Sequence, residues 1–195
     1  MSDKELNEQY WNSQYVNSTT GWDMKQVSPP LKAYIDQLTN KNLQILIPGC
    51  GNSYEAEYLL NQGFTNITLI DIAPALVESL QQKFAGQSSI RVVLGNFFEH
   101  IGSYDLILEQ TFFCALDPAL RPAYAVKMHE LLKPNGTLAG LLFNREFEGG
   151  PPFGGSEAEY RELFSKQFRI KTLEPCYNSF IKRAGTEVFM IFIRN

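Results

Sequence analysis

Apolar runs of strand length alternate with helix-periodic stretches from about residue 43 to the end of this chain, and that alternation confines it to an α/β architecture. Residues 43–48 (LQILIP) form the apolar run expected of a parallel strand covered on both faces. Residues 52–62 carry Ala56, Leu59 and Leu60 at helical spacing and end at Gly63. Asn66–Asp71 (NITLID) reads as a second strand. Pro74 marks a helix start, with Leu76, Val77, Leu80 and Phe84 as its buried stripe before Gly86. The pattern continues through strands at Ile90–Leu94, 104–109 and 137–143 and helices at 118–132 and 157–166. Residues 133–136 (KPNG) supply a helix stop. Two last strands, 168–173 and 187–193, close the series, the second alternating around Val188. Five strand–helix units and a strand pair predict a mostly parallel sheet with an antiparallel end.

A chain of 195 residues and 22.2 kDa suits one domain, 1–195, with roughly the first forty residues as a cap over its top. The long connection at 146–155 reads as functional or lid-like. Its formal charge of −4 argues against a nucleic-acid partner gripped through phosphates. No apolar stretch is long enough for a membrane span, and residues 1–10 lack a signal peptide's apolar core, so the expected location is cytoplasmic. Cys50, Cys114 and Cys176 lie more than sixty residues apart, and with only His100 and His129 beside them no metal site is expected. Isolated cysteines in a reducing compartment read as small buried hydrophobes, and a nucleophilic role for Cys50 or Cys114 lacks an obvious histidine partner.

The first strand runs directly into Gly49-Cys50-Gly51-Asn52-Ser53 and a helix, the geometry that brings backbone N–H groups up to a ligand. Tyr54 stands where a dinucleotide fingerprint would place a third glycine, which counts against a nicotinamide cofactor, and no phosphate-gripping GxxxxGK[ST] motif occurs. A plain tight turn remains the rival reading. Asp71 lies twenty residues after Gly51, at the end of the second strand, where a carboxylate can accept both hydroxyls of a ribose. It could equally cap the helix that starts near Pro74. Glycines, strand and terminal acid together favour an adenosine-type cofactor.

Several further segments recur together with these. Thr20-Gly21-Trp22-Asp23, Pro48-Gly49-Cys50-Gly51, Asn96-Phe97-Phe98, the run from Glu109 to Leu116, the segment from Pro118 to Ala125, and Gly149-Gly150-Pro151-Pro152-Phe153 follow one another in order. In this the chain resembles the thiopurine S-methyltransferase family of S-adenosylmethionine-dependent enzymes, and within it the halide/thiol methyltransferase branch. The resemblance runs from about Trp11 to the C-terminus. It implies a Rossmann-like class I methyltransferase fold: a seven-stranded, mostly parallel sheet with an antiparallel last strand and helices on both faces. It implies S-adenosyl-L-methionine as cofactor and S-adenosyl-L-homocysteine as product. The implied partner is a small-molecule acceptor.

Carried over residue by residue, the resemblance makes Trp11, Tyr15 and Trp22 an aromatic lid, whose faces suit a sulfonium cation. Gly49 and Gly51 would admit the methionine end, Asp71 would bind ribose, and Asn96 and Phe97 would border the adenine. Tyr15 stands where relatives often have Trp, Asn96 and Glu109 where many have Asp, and Gln110 where many have Tyr. Glu109 and Gln110 are placed beside the methyl-transfer centre, Glu109 as a catalytic candidate and Gln110 against the cofactor. Arg121 aligns with an arginine near the acceptor, as a second catalytic candidate able to orient an anion. Phe113, Arg121, Pro151 and Phe153 would then form the acceptor pocket. The expected reaction is methyl transfer to a small thiol or thiolate, with halide and thiopurine acceptors as alternatives and a non-catalytic cofactor sensor as the rival from another class. The expected state is a monomer.

Overall fold

The computed structural model describes residues 5–195, so residues 1–4 of the expected cap, and of the polar N-terminal stretch read at 1–10, lie outside the described residues. Seven strands form one sheet: β1 (Gln44–Pro48), β2 (Asn66–Asp71), β3 (Ile90–Leu94), β4 (Tyr104–Gln110), β5 (Leu132–Phe143), β6 (Phe168–Pro175) and β7 (Glu187–Arg194). Their order is β3-β2-β1-β4-β5-β7-β6. All neighbouring pairs from β3 across to β5 are parallel, and β7 runs antiparallel to both β5 and β6. The last strand is therefore inserted between β5 and β6 and is the one that reverses direction.

The sheet is covered on both faces because its strands alternate between two cores. In β1, Leu46 joins one cluster while Ile45 and Ile47 join the other, each nearly without exposure. The first cluster is closed by α5 (Arg121–Leu131) and α6 (Glu157–Phe164) through Tyr124, Met128, Leu131, Tyr160 and Phe164. The second is closed by α2 (Pro29–Ile35), α3 (Tyr54–Asn61) and α4 (Pro74–Lys83) through Leu31, Ile35, Leu59, Leu76 and Leu80. Each such side chain contributes about 1.5–3 kcal/mol by leaving water. α1 (Glu8–Val16) adds Trp11 and Tyr15 at the margin of the second cluster.

Two elements differ from the sequence expectation. The β3–β4 connection holds only a 3₁₀ turn at Phe97–Glu99, so the third unit has no covering helix. The segment 133–136 stops α5 but does not separate it from the next strand. Tyr104 pairs with Leu132 and Leu106 with Thr137, so these residues bulge out of β5. Asn135, at φ 61°, makes the left-handed turn that returns the chain to register.

The chain steps from β1 outward to β2 and β3, then crosses back to place β4 and β5 on the other side of β1. That reversal opens a crevice beyond the carboxyl ends of β1 and β4, where open α/β sheets bind ligands.

Candidate active site

The turn leaving β1 holds Gly49 at φ +54° and Gly51 at φ +51°, a conformation that glycine adopts without penalty. At Gly49 space matters as well, because a Cβ there would stand 2.2 Å from the ring of Phe112. Gly49→Ala is therefore expected to cost about 3 kcal/mol from left-handed strain and overpacking together, roughly 8 °C in Tm by scanning calorimetry. An unchanged Tm would show that Phe112 swings away freely.

Asp71, at the end of β2, faces this turn and is 8% exposed. Its Oδ2 accepts from the Gly51 N–H at 3.4 Å and its Oδ1 from the Ala73 N–H at 3.0 Å. Burial pushes its carboxyl up to about 6, opposed by those backbone donors. The N-cap position of α4 is Ala73, so Asp71 supports that helix start with one oxygen while the long contact to Gly51 leaves the other loosely held.

Above the turn lies the aromatic trio expected from the sequence. Trp11 and Tyr15 sit four residues apart on one face of α1. Trp22 meets both edge-on, at 5.7 Å and 79° to Trp11 and at 6.0 Å and 82° to Tyr15. Burial, with Asp71 nearby, raises the Tyr15 phenol far above its ordinary range, so it stays neutral. Four hydrogen bonds tie the segments that carry these rings to the rest of the fold. Asn12 Oδ1 accepts from the Ala75 N–H at 2.8 Å, Asp23 accepts from Asn52 Nδ2 at 2.7 Å and from the Tyr54 hydroxyl at 3.2 Å, and Arg183 Nη2 donates to the Trp22 carbonyl at 2.8 Å.

Asn96 caps its own 3₁₀ turn, its Oδ1 accepting from the Phe98 N–H at 3.0 Å. Phe97 is buried and meets Phe112 edge-on at 5.1 Å, so it reaches the crevice through the ring that covers Gly49.

At the end of β4, Glu109 is 0% exposed. Its Oε1 accepts from the N–H groups of Phe112 at 2.8 Å and Phe113 at 3.0 Å, and its Oε2 from the Tyr124 hydroxyl. A carboxylate so enclosed holds the turn after β4 through all three donors. Phe113 points into the core at 1% exposure, edge-on to Tyr124 and Tyr160. Arg121 is also buried: Nη2 donates to the Gly154 carbonyl at 2.6 Å, Nη1 pairs with Glu159, and the guanidinium lies 4.9 Å over the Phe113 ring. Its planar group clamps the 145–155 loop, whose neck is the Arg145–Gly155 bridge and whose Phe153 N–H donates to the Cys114 carbonyl at 2.7 Å. Arg121→Ala is expected to lower stability by about 2 kcal/mol, the cost of a stranded carbonyl and lost packing. Binding of S-adenosylhomocysteine, the product that the resemblance implies, should stay at the wild-type value in calorimetry; a large loss there would return Arg121 to the binding site.

Phe113 and Arg121 thus turn into the core, Arg121 meeting the loop that carries Pro151 and Phe153 through the Gly154 carbonyl. A small cavity of about 10 Å³ lies where β4, β5 and β7 end or begin, lined by Gln110, Thr111, Cys114, Leu141, Leu142, Phe143 and Glu187. Of these only Gln110 was singled out in the sequence for this centre. Cys114 was noted as an isolated thiol, and Glu187 is legible only as a lone acid opening an apolar strand.

The chain is similar to known proteins in both sequence and fold. The family model described as Thiopurine S-methyltransferase (TPMT) matches residues 6–188. A probable thiol methyltransferase 2 of Arabidopsis thaliana is 31% identical over 159 residues, spanning 78% of this chain and 70% of that protein. Thiocyanate methyltransferase 1 of Brassica oleracea is 27% identical over 184 residues, spanning 91% and 81%. A thiopurine S-methyltransferase of Vibrio cholerae serotype O1 is 26% identical over 177 residues, spanning 80% of each. Among solved structures, 1,6-didemethyltoxoflavin-N1-methyltransferase of Burkholderia thailandensis superposes with a TM-score of 0.76 at 20% identity, covering 96% of this chain and 87% of that one. Magnesium protoporphyrin IX methyltransferase of Synechocystis PCC 6803 gives a TM-score of 0.76 at 16% identity, covering 96% and 95%. At such identities the likeness is one of fold.

Proposed function

Since this chain belongs to the thiopurine S-methyltransferase family and is an S-adenosylmethionine-dependent methyltransferase, we propose that it methylates a small thiol at the crevice beyond β1 and β4. The observation that carries this reading is convergence at one place. The Gly49–Gly51 turn, a carboxylate at the end of β2 and Trp22, edge-on to both Trp11 and Tyr15, all meet at the topological switch point.

The residues present suit the cofactor. Asp71 offers lone pairs to a ribose and binds its neighbours only through backbone amides, one of them at 3.4 Å. Trp11, Tyr15 and Trp22 offer π faces to a cation. When bound, S-adenosylmethionine supplies an electrophilic methyl group and leaves as S-adenosylhomocysteine. The chain's own work is then to bind, orient and dry. Gly49 and Gly51 let the backbone approach the cofactor's amino-acid end, and the backbone of Asn96 and Phe97 borders the base. Gln110 lies between the cofactor crevice and the small cavity, where the acceptor's nucleophilic atom would be held. Trp22 and the α1 rings exclude water, which strengthens every electrostatic contact beneath them. Positioning supplies much of the rate. Pro151 and Phe153, on the loop docked against Cys114, form an outer wall.

Among the described residues no helix is long and apolar enough to cross a membrane. A cytoplasmic monomer acting on a freely diffusing small molecule fits the three free, buried cysteines.

The test is release of S-adenosylhomocysteine with a panel of small thiols, hydrosulfide, iodide and a thiopurine. Turnover on at least one thiol is expected, and Asp71→Ala should abolish it. Silence across the panel while S-adenosylhomocysteine still binds would replace the enzyme reading with that of a cofactor sensor.

A further inference from the structure

The reversal of β7 decides where the β6–β7 connection lies. Glu187, which opens β7, pairs with Phe143 at the carboxyl end of β5, and Val188 pairs with Pro175 at the end of β6. Residues 176–186 therefore hang from the end of the sheet that carries the turns after β1 and β4. Within them a 3₁₀ turn, Ile181–Arg183, fixes where one side chain starts. The Arg183 N–H donates to the Phe180 carbonyl at 2.7 Å, and the Arg183 carbonyl accepts from the Thr186 N–H at 3.0 Å and hydroxyl at 2.8 Å. The guanidinium lies 5.6 Å from the centre of the Phe143 ring, with Nη1 3.5 Å from Glu187 Oε1. A planar fork set by its stem, a ring and a carboxylate has few orientations left. Its other nitrogen, Nη2, donates to the Trp22 carbonyl at 2.8 Å, across 161 residues of chain.

The segment that receives this bond has little structure of its own. Residues 17–28 carry neither helix nor strand, and Ser18 and Lys25 both stand at φ 56°. The Ser28 N–H, on Glu55 Oε1 at 2.9 Å, fixes the far end. Asp23 ties the middle to Asn52 and Tyr54, at the start of α3 and so on the β1 side of the crevice. Arg183 takes hold from the opposite side, beyond β5. The two anchors sit on adjacent residues, so the segment is strapped across the switch point. Glu187 makes the second anchor affordable in physical terms: a guanidinium 11% exposed needs a counter-charge, and a carboxylate 4% exposed supplies it. The bond to the neutral Trp22 carbonyl is then made by a cation, which is stronger than one from an amide.

We infer that Arg183 is a positioning residue for the cofactor: its bond to the Trp22 carbonyl holds the 17–28 strap across the crevice and keeps the Trp22 ring over bound S-adenosylmethionine. The inference rests on the reading of Trp22 as part of the cofactor lid and deepens it. Arg183 touches no reacting atom in this scheme. It acts through Trp22, so its removal should show in how tightly the cofactor is held and how far the lid is open.

Trp11 and Trp22 are the two tryptophans of the chain, and both belong to the lid, so tryptophan emission reports on it directly. The experiment compares wild type, Glu187→Gln, the double variant Arg183→Met/Glu187→Gln and Arg183→Lys, each first shown to fold by circular dichroism. Removing Arg183 alone would strand a buried carboxylate, so the double variant removes the pair as a unit. The readouts are calorimetric Kd for S-adenosylhomocysteine, acrylamide quenching of tryptophan emission with and without it, and KM for S-adenosylmethionine against kcat with a small thiol. Relative to Glu187→Gln, the double variant should bind S-adenosylhomocysteine about tenfold more weakly, the worth of one charge-assisted hydrogen bond. Its KM for S-adenosylmethionine should rise about tenfold while kcat changes less than about threefold. Its tryptophans should be quenched more strongly in the complex. Arg183→Lys keeps the charge beside Glu187 and loses the fork, and should weaken binding about threefold from wild type.

A double variant that matches Glu187→Gln in Kd overturns the inference, since Arg183 then only balances a charge. Weaker binding with unchanged quenching overturns it too, because the effect would not run through Trp22. In both cases thiol turnover upholds the function. If the double variant does not fold, Arg183→Lys decides, and wild-type Kd and quenching there overturn the inference. A wild type whose quenching does not change when S-adenosylhomocysteine binds overturns the lid reading and this inference together, and leaves the proposed reaction standing.

Discussion

Asp71→Ala is expected to weaken S-adenosylhomocysteine binding about 100-fold in isothermal titration while leaving the fold in place. Two hydrogen bonds from ribose hydroxyls to an ionised, enclosed carboxylate are each worth about 1.5 kcal/mol or more, and roughly 3 kcal/mol is two decades in Kd. The partners of this side chain are the backbone amides of Gly51, Ile72 and Ala73. Its titration gives a second check with a definite sign. In the free protein the carboxyl titrates at about 6, above its ordinary 3.8, because burial disfavours the charge. The ribose needs that charge as acceptor. Binding should therefore weaken as pH falls through about 6, by up to tenfold per pH unit, and the slope should vanish in Asp71→Asn. For the free protein the sign is opposite. A raised carboxylate pKa costs no stability below about pH 4 and up to roughly 3 kcal/mol once pH has risen past the folded value. A wild-type Kd that is flat between pH 5 and 8 would remove Asp71 from the cofactor site.

What could be read beforehand follows a physical division between local and distant causes. β2 and β3 were both legible to the residue, β2 as the apolar run with polar ends of a strand buried in a parallel sheet and β3, the partly exposed edge strand, as a short run of β-branched residues. α1 was not, because none of its residues is buried and its apolar pattern is weak; it folds against α4 through Trp11, Tyr15 and the Asn12 cap on Ala75. The turn from Gly49 to Ser53 and the acid at Asp71 declare themselves because one short segment builds each. Phe113 and Arg121 were misplaced for the converse reason. Position in the chain located them near the site, but not which way they point: the 3₁₀ turn at Phe113–Ala115 sends Phe113 inward and leaves Phe112 over Gly49. Arg183 and Glu187 escaped notice because only sheet pairing brings them there. Glu187 meets Phe143 across the β5–β7 ladder, and Arg183 reaches Trp22 over a separation of 161 residues.

Glu109 supplies the largest expected loss of stability at the site. Glu109→Ala removes the acceptor for three enclosed donors, the Phe112 and Phe113 amides and the Tyr124 hydroxyl, at about 1–3 kcal/mol each. A total near 4 kcal/mol corresponds to roughly 10 °C in Tm for a chain of this size. Glu109→Gln keeps Oε1 for the two amides and should cost far less. That contrast separates a positioning carboxylate from a reacting one. If Glu109 acted on the substrate, the amide would fold normally and lose turnover; as a brace, it should keep kcat within about threefold. The pH dependence makes the same division. Burial lifts the Glu109 carboxyl to about 7 from 4.5 despite its three donors. The folded chain thus holds this proton more tightly than the unfolded chain does. Stability should fall as pH rises from about 4.5 through 7, by roughly 3 kcal/mol, and Glu109→Gln should remove that slope. Urea unfolding at pH 5.5, 7 and 8.5 reads both effects, and a wild-type slope that survives in Glu109→Gln would assign it to another group. Tyr124→Phe should steepen the wild-type slope, because losing the hydroxyl leaves the ionised carboxylate with only two donors. The turn that this pair braces carries Phe112 against Gly49 on one side and Cys114 into the small cavity on the other. A buried acid braced on three donors thereby fixes the distance between the Gly49 turn and the small cavity.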